Sequence, residues 1–204
     1  MILKRFSIEN LFFCLKHTLN ENMKKIAVHL AEGFEEIEAV SIIDVLRRAE
    51  IDVTVVSVAE KLEITGSHGI KIIADQLLNA INYELIDMII LPGGMPGSSN
   101  LNNHLGLREQ ILNFHENKKM LGAICAAPVV FGSLGILKNI NATCYPGFEN
   151  QLHGAIVTGE NIEVAGNIIT AKGAGVAIDF ALKIVELLKG KELANKLALK
   201  MIVK

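Results

Sequence analysis

The apolar positions fall in short, regularly spaced blocks. Lys24 to Leu30 is a compact apolar run that predicts a strand, and Glu35 to Ala49 repeats its apolar residues at helical spacing. Asp52 to Val58 is rich in valine and predicts the next strand. Leu62 to Ile64 and Ile70 to Ile73 read as extended pieces joined as a hairpin through Thr65 to Gly69. Asp87 to Leu91 predicts a buried strand ended by Pro92-Gly93-Gly94. A further apolar run, Met120 to Ile124, stops at Cys125 and lies between helical patterns at Leu105 to Asn117 and Pro128 to Leu134. Short strands are expected near Ile140 to Tyr145, Ile162 to Ala165 and Ile168 to Thr170. Amphipathic helices at Val176 to Leu188 and Lys191 to Leu199 close the chain. Strands alternating with helices at this spacing predict right-handed crossovers and an α/β fold with a mostly parallel, doubly wound sheet.

Residues 1–22 break the pattern. They mix Lys4, Arg5 and Lys16 with a short apolar patch, Leu11 to Leu15, and lack the longer apolar centre and small-residue cleavage site of a secretory signal. They read as an extension upstream of a start at Met23, loosely attached and outside a single domain over 23–204. The 204 residues suffice for one well-buried α/β domain. Half are hydrophobic and only 5% aromatic, which suits an aliphatic parallel sheet covered by helices. A net charge of −2 gives no electrostatic case for nucleic acid or an anionic membrane surface. No apolar run approaches the roughly 20 residues of a membrane span. Cys14, Cys125 and Cys144 form neither a C-x-x-C motif nor an even framework, so a reducing, cytoplasmic setting is expected.

In an open parallel sheet, ligands bind beyond the carboxyl ends of the strands. Cys125 falls at such an end, followed by Ala126-Ala127-Pro128, with Pro128 suited to a first helical turn. Unpaired N–H groups and the positive helix end there favour a thiolate, the nucleophilic form of cysteine. Gly93-Gly94 offers a second strand end. It is either a tight turn requiring positive φ or a set of exposed N–H groups that, with the Ala126 N–H, face an oxyanion. Helical projection puts both Glu35 and Glu38 on the apolar side of their helix, with Glu36 at its flank. Burial raises the pKa of a carboxylate toward the range a general acid/base needs. A preference of acidic residues for the first turn explains Glu35 and Glu36, but explains Glu38 less well. Gly173-Ala174-Gly175 lacks the third glycine of a dinucleotide fingerprint and reads as a loop-to-helix turn. His29 lies in a strand pattern, and His17, His104 and His115 look like surface or helix-end residues. His68 and His153 sit in loops, and no spacing suggests a metal site.

The segments Ala31-Glu32-Gly33-Phe34-Glu35-Glu36-Ile37-Glu38-Ala39, Asp44 to Ala49, Leu91-Pro92-Gly93-Gly94, Ala123 to Pro128 and Thr170 to Ala181 together resemble the ThiJ/PfpI superfamily, in particular its DJ-one/YajL-like branch. The resemblance runs in order from about Lys24 to the C-terminus. It implies a flavodoxin-like three-layer sandwich, similar to class I glutamine amidotransferases and usually homodimeric. It also implies that Cys125 is an oxidation-sensitive nucleophile and that Glu38 is the carboxylate bonded to its sulfur. Gly94 and Ala126 would be oxyanion donors, with Gly93 supporting the turn and grouped with them. The implied activity converts methylglyoxal or glyoxal to the 2-hydroxy acid, or repairs early glycation adducts, without a cofactor. The alternative is a redox-sensing chaperone or binding protein switched by oxidation of Cys125. Some members carry a histidine where Tyr145 stands here; an ordinary tyrosine, with a pKa near 10, can donate a hydrogen bond but is a poor base. The peptidase-like branch has a histidine where Ala126 stands, which argues against a cysteine amidase or peptidase.

Overall fold

The computed structural model describes residues 23–203; the reading of 1–22 as a loose extension lies outside them. The chain opens with β1 (Lys25–Leu30), α1 (Glu36–Arg48) and β2 (Asp52–Ser57). A hairpin of β3 (Glu63–Thr65) and β4 (Lys71–Ile73) follows, then the edge strand β5 (Gln76–Leu77) and β6 (Met88–Leu91). Next come α2 (Gly97–Asn103), α3 (Leu105–Glu116), β7 (Met120–Ile124) and α4 (Pro128–Ser133). Two short strands, β8 (Asn141–Ala142) and β9 (Ile156–Val157), precede β10 (Ile162–Ala165), β11 (Ile168–Ala171), α5 (Ala177–Lys189) and α6 (Lys191–Lys200).

The main sheet has seven strands in the order β10-β11-β7-β6-β1-β2-β5. All neighbours are parallel except β10 against β11. Strands buried on both faces read as near-continuous apolar runs, and β6 is buried at all four positions. Alternate residues of β1 feed two cores. Ile26, Val28 and Leu30 pack toward Ile42 and Leu46 of α1 and Phe180 and Ile184 of α5. Ala27 faces the opposite core, with Leu101, Leu107, Phe114 and Phe131 from α2, α3 and α4. The result is the three-layer, flavodoxin-like sandwich expected.

The chain steps outward from β1 to β2 and returns to the other side of β1 with β6. The sheet therefore changes direction between β1 and β6, where a doubly wound sheet opens its crevice. The hairpin forms where expected. The polar run Gly97 to Asn103, a poor helix former by composition, becomes α2 with its start fixed by a tertiary contact, Gly97 N–H donating to Gly33 C=O at 3.1 Å, and by a local one, Ser98 N–H donating to Gly94 C=O at 2.8 Å.

Candidate active site

Three chain segments meet at the crevice. Cys125 sits between β7 and α4 with φ of 64°, a left-handed conformation rare for a residue with a side chain. Its backbone is held on both sides: its N–H donates to Ala171 C=O at 2.9 Å, and its C=O accepts from Tyr145 N–H at 2.8 Å. Pro128 occupies the first turn of α4, where its missing N–H removes no helical bond. The bend leaves the sulfur within reach of the Gly94 and Ala126 N–H groups and of Glu38.

Glu38 is fully buried in the first turns of α1. Its Oε2 accepts from the Gly93 N–H at 2.7 Å, while its Oε1 has no hydrogen-bond partner of good geometry. The choice between Glu35 and Glu38 is decided by that bond, which joins residues 55 apart in sequence. Glu35 precedes the helix, donates its N–H to Gly93 C=O at 2.9 Å and turns its carboxylate toward Ser67. Gly93 is thus not an oxyanion donor, contrary to its grouping with Gly94 and Ala126, because its N–H is spent on the carboxylate. A side chain at Gly93 would place its Cβ 2.6 Å from Cys125 Cβ and 2.9 Å from Glu38 Oε2. Gly94, at φ 93°, packs so tightly on Phe34 and Glu35 that only glycine fits.

The electrostatics follow from this enclosure. Burial raises Glu38 to about 7; the Gly93 N–H and the Cys125 thiol oppose the rise, and the charge of Glu35 adds to it. Burial also pushes the Cys125 thiol up, and the charge of Glu38 adds to the rise, to about 12 in all, against the Ala126 and Gly94 N–H groups. Burial and the Glu38 charge thus oppose the thiolate that the strand end and its backbone donors favour. When Glu38 carries the proton the repulsion vanishes and the carboxyl can donate to the sulfur, which leaves desolvation as the force opposing the thiolate. Cys125 and Glu38 titrate as one unit.

Tyr145 is half-exposed, with its ring beside Gly173, and a Cβ on Gly173 would lie 3.2 Å from the ring and 4.0 Å from the Cys125 sulfur. An apolar cavity of about 360 Å³ opens there between Tyr145-Pro146 and Lys172 to Val176. Gly173-Ala174-Gly175 leads into α5 as a turn.

Glu36, which the helical projection puts at the flank of the apolar side, is buried. Its carboxylate accepts from His68 N–H at 2.7 Å, His68 Nδ1 at 2.9 Å and Ser67 Oγ at 3.2 Å, which fastens the hairpin loop to α1. Burial works to raise Glu36, but the His68 side chain and the N–H donors outweigh it and hold the carboxyl at about 2. Glu35, Glu36 and His68 are near enough to ligate one ion, although hydrogen bonds already occupy Glu36 and His68. His29 is buried in β1 with Nε2 2.7 Å from the Tyr83 hydroxyl, and desolvation lowers it to about 3. His104 caps α3 by accepting the Leu107 N–H at its Nδ1, 3.1 Å away.

A thiol on a left-handed bend, a buried carboxyl and two backbone donors at the crevice of a doubly wound sheet define a cysteine-centred α/β protein. The family model of the DJ-1/PfpI family matches residues 24–187, and the chain belongs to that family. It is 40% identical over 184 residues to Protein DJ-1 homolog B of Arabidopsis thaliana, covering 89% of this chain. The chain spans less than half the length of the plant relatives it matches, 42% in this case. It is 33% identical over 168 residues to a Caenorhabditis elegans protein named glutathione-independent glyoxalase DJR-1.2, covering 81% of this chain and 89% of that one. An oxidized form of Toxoplasma gondii DJ-1 superposes with a TM-score of 0.84 at 38% identity, covering 88% and 98% of the two chains. Among the described residues no helix is long and apolar enough to cross a membrane.

Proposed function

We propose that this chain is a cofactor-independent, cysteine-dependent glyoxalase that converts methylglyoxal or glyoxal to the 2-hydroxy acid, with early glycation adducts as related substrates. The carrying observation is the buried Glu38, at about 7, set against the Cys125 sulfur between two backbone donors. The likeness to the C. elegans glyoxalase supports the reading. Transfer of the thiol proton to Glu38 frees the thiolate, which adds to the aldehyde carbon. The carbonyl electron pair moves onto oxygen, which the Gly94 and Ala126 N–H groups hold and the Glu38 carboxyl protonates. The Glu38 carboxylate then removes the proton from the former aldehyde carbon and returns one to the adjacent carbon. The hydroxyl proton of the first carbon passes to the oxygen of the second, so the first is oxidised to a thioester as the second is reduced to an alcohol. Water cleaves the thioester, releasing the hydroxy acid and restoring the thiol. A homodimer in the cytoplasm is part of the same proposal, carried from the family resemblance.

The test is turnover of methylglyoxal by purified protein without added thiol. Wild-type protein forms lactate and Cys125→Ala does not; lactate formation that survives the substitution overturns the mechanism. The oxidized form of the Toxoplasma relative favours a second reading, a redox-switched binder in which protonated Glu38 and the two N–H groups hold an oxidised sulfur. Client binding that peroxide leaves unchanged would end it.

A further inference from the structure

A second, smaller cavity of about 210 Å³ lies against the same bend, walled by Ala126 and by the start of α2. It is joined to both oxyanion donors through the backbone. Ala126 supplies one N–H itself, and Ser98 bonds through its own N–H to the C=O of Gly94, whose N–H is the other. Ser98 is 4% exposed, and its hydroxyl is buried with no hydrogen-bond partner. A buried hydroxyl left without a partner is costly, so a group that satisfies it binds there with advantage. Ser99, Asn102 and Gln151 add neutral polar groups, Phe148 adds an apolar wall, and no charged side chain lines the space. Asn102 Oδ1 accepts from Arg108 and Ser133, while its amide N–H groups make no bond within the described residues.

We propose that this cavity is a substrate subsite for an uncharged, hydroxylated carbon chain. The substrate class is then the sugar-derived 2-oxoaldehydes, with the aldehyde at Cys125 and the hydroxylated tail beside Ser98. The absence of lining charge disfavours a phosphate or carboxylate tail, and the volume equals that of about seven liquid waters, room for a chain of three or four hydroxylated carbons. The assignment of the tail rests on the glyoxalase reading; the cavity's affinity for a polyol does not.

Two measurements separate them. In the first, erythritol is titrated into the protein and amide NMR shifts are followed. Saturable shifts confined to Ser98, Asn102, Ala126 and Gln151, weakened at least threefold in Ser98→Ala and lost in Val129→Phe, which fills the cavity, support the subsite. An absence of saturable shifts in wild type overturns it, whatever the enzyme does. In the second, kcat/KM is compared for a six-carbon sugar-derived 2-oxoaldehyde and for methylglyoxal. Ser98→Ala lowers the ratio of the two values about threefold to tenfold, through KM, as expected for one neutral hydrogen bond. An unchanged ratio overturns the assignment of the tail. Erythritol binding in a protein that turns over neither compound would retire the glyoxalase reading and leave the subsite standing.

Discussion

Replacing Glu38 with glutamine separates what the carboxyl does for chemistry from what it costs the fold. Glu38 is moved from the usual 4.5 to about 7, chiefly by burial. Between those values the folded chain keeps a proton that the unfolded chain has lost, so the contribution of Glu38 to stability falls as pH rises through the window and is flat above it. A displacement of that size corresponds to about 3 kcal/mol. Glutamine keeps the shape and can still accept the Gly93 N–H, but it cannot ionise. His29 works in the opposite sense: held at about 3 by burial, it adds stability as pH rises from there to 6.5, and it would mask the slope in wild type alone. The difference between Glu38→Gln and wild type cancels His29. Urea unfolding at pH 4, 5, 6, 7 and 8 should show that difference moving by about 3 kcal/mol in favour of the variant, while methylglyoxal turnover disappears. A difference that stays level within about 1 kcal/mol, or moves the other way, refutes the account of Glu38 as a carboxyl destabilised by its enclosure.

Two further outcomes follow from the same geometry. Gly93→Ala drives a methyl group into Cys125 and Glu38, so it should cost about 2 kcal/mol or more in urea unfolding and abolish activity in whatever protein still folds. Glu36→Gln weakens the attachment of the hairpin loop and should destabilise by about 1–3 kcal/mol at pH 7. Because Glu36 is held low, its stabilisation is present above 4.5 and lost as pH falls toward 2, so the difference from wild type should shrink on acidification. A deficit equal at pH 3 and pH 7 would contradict the charged role.

Much of this arrangement is legible in the chain itself. The apolar blocks locate β1, β6 and β7 to within a residue, because strands buried on both faces leave an uninterrupted signal. The bend at Cys125 is visible in a strand that stops one residue before small residues and a proline. Local periodicity leaves Glu35 and Glu38 as alternatives, since it is blind to the Gly93 N–H lying under position 38. The thiol electrostatics are legible only in part for a related reason: helix ends and donors can be read from sequence, whereas desolvation and the charge across the crevice arise only on assembly. The strand Gln76–Leu77 is too short to leave a pattern, and α2 with its Ser98 is hidden in a run of glycine, serine and asparagine whose helical start rests in part on the contact with Gly33.

Two carboxyls on one turn of α1, at positions 36 and 38, differ by about five decades in proton affinity, one near 2 and the other near 7. One looks outward to a clasp of donors, the other inward to sulfur. Acid strong enough to protonate the outer carboxyl finds the inner one already loaded, and the backbone N–H donors of the clasp persist where the inner carboxyl empties. The working site can thus gain and lose its proton while the outer carboxylate stays charged against the main-chain donor of His68.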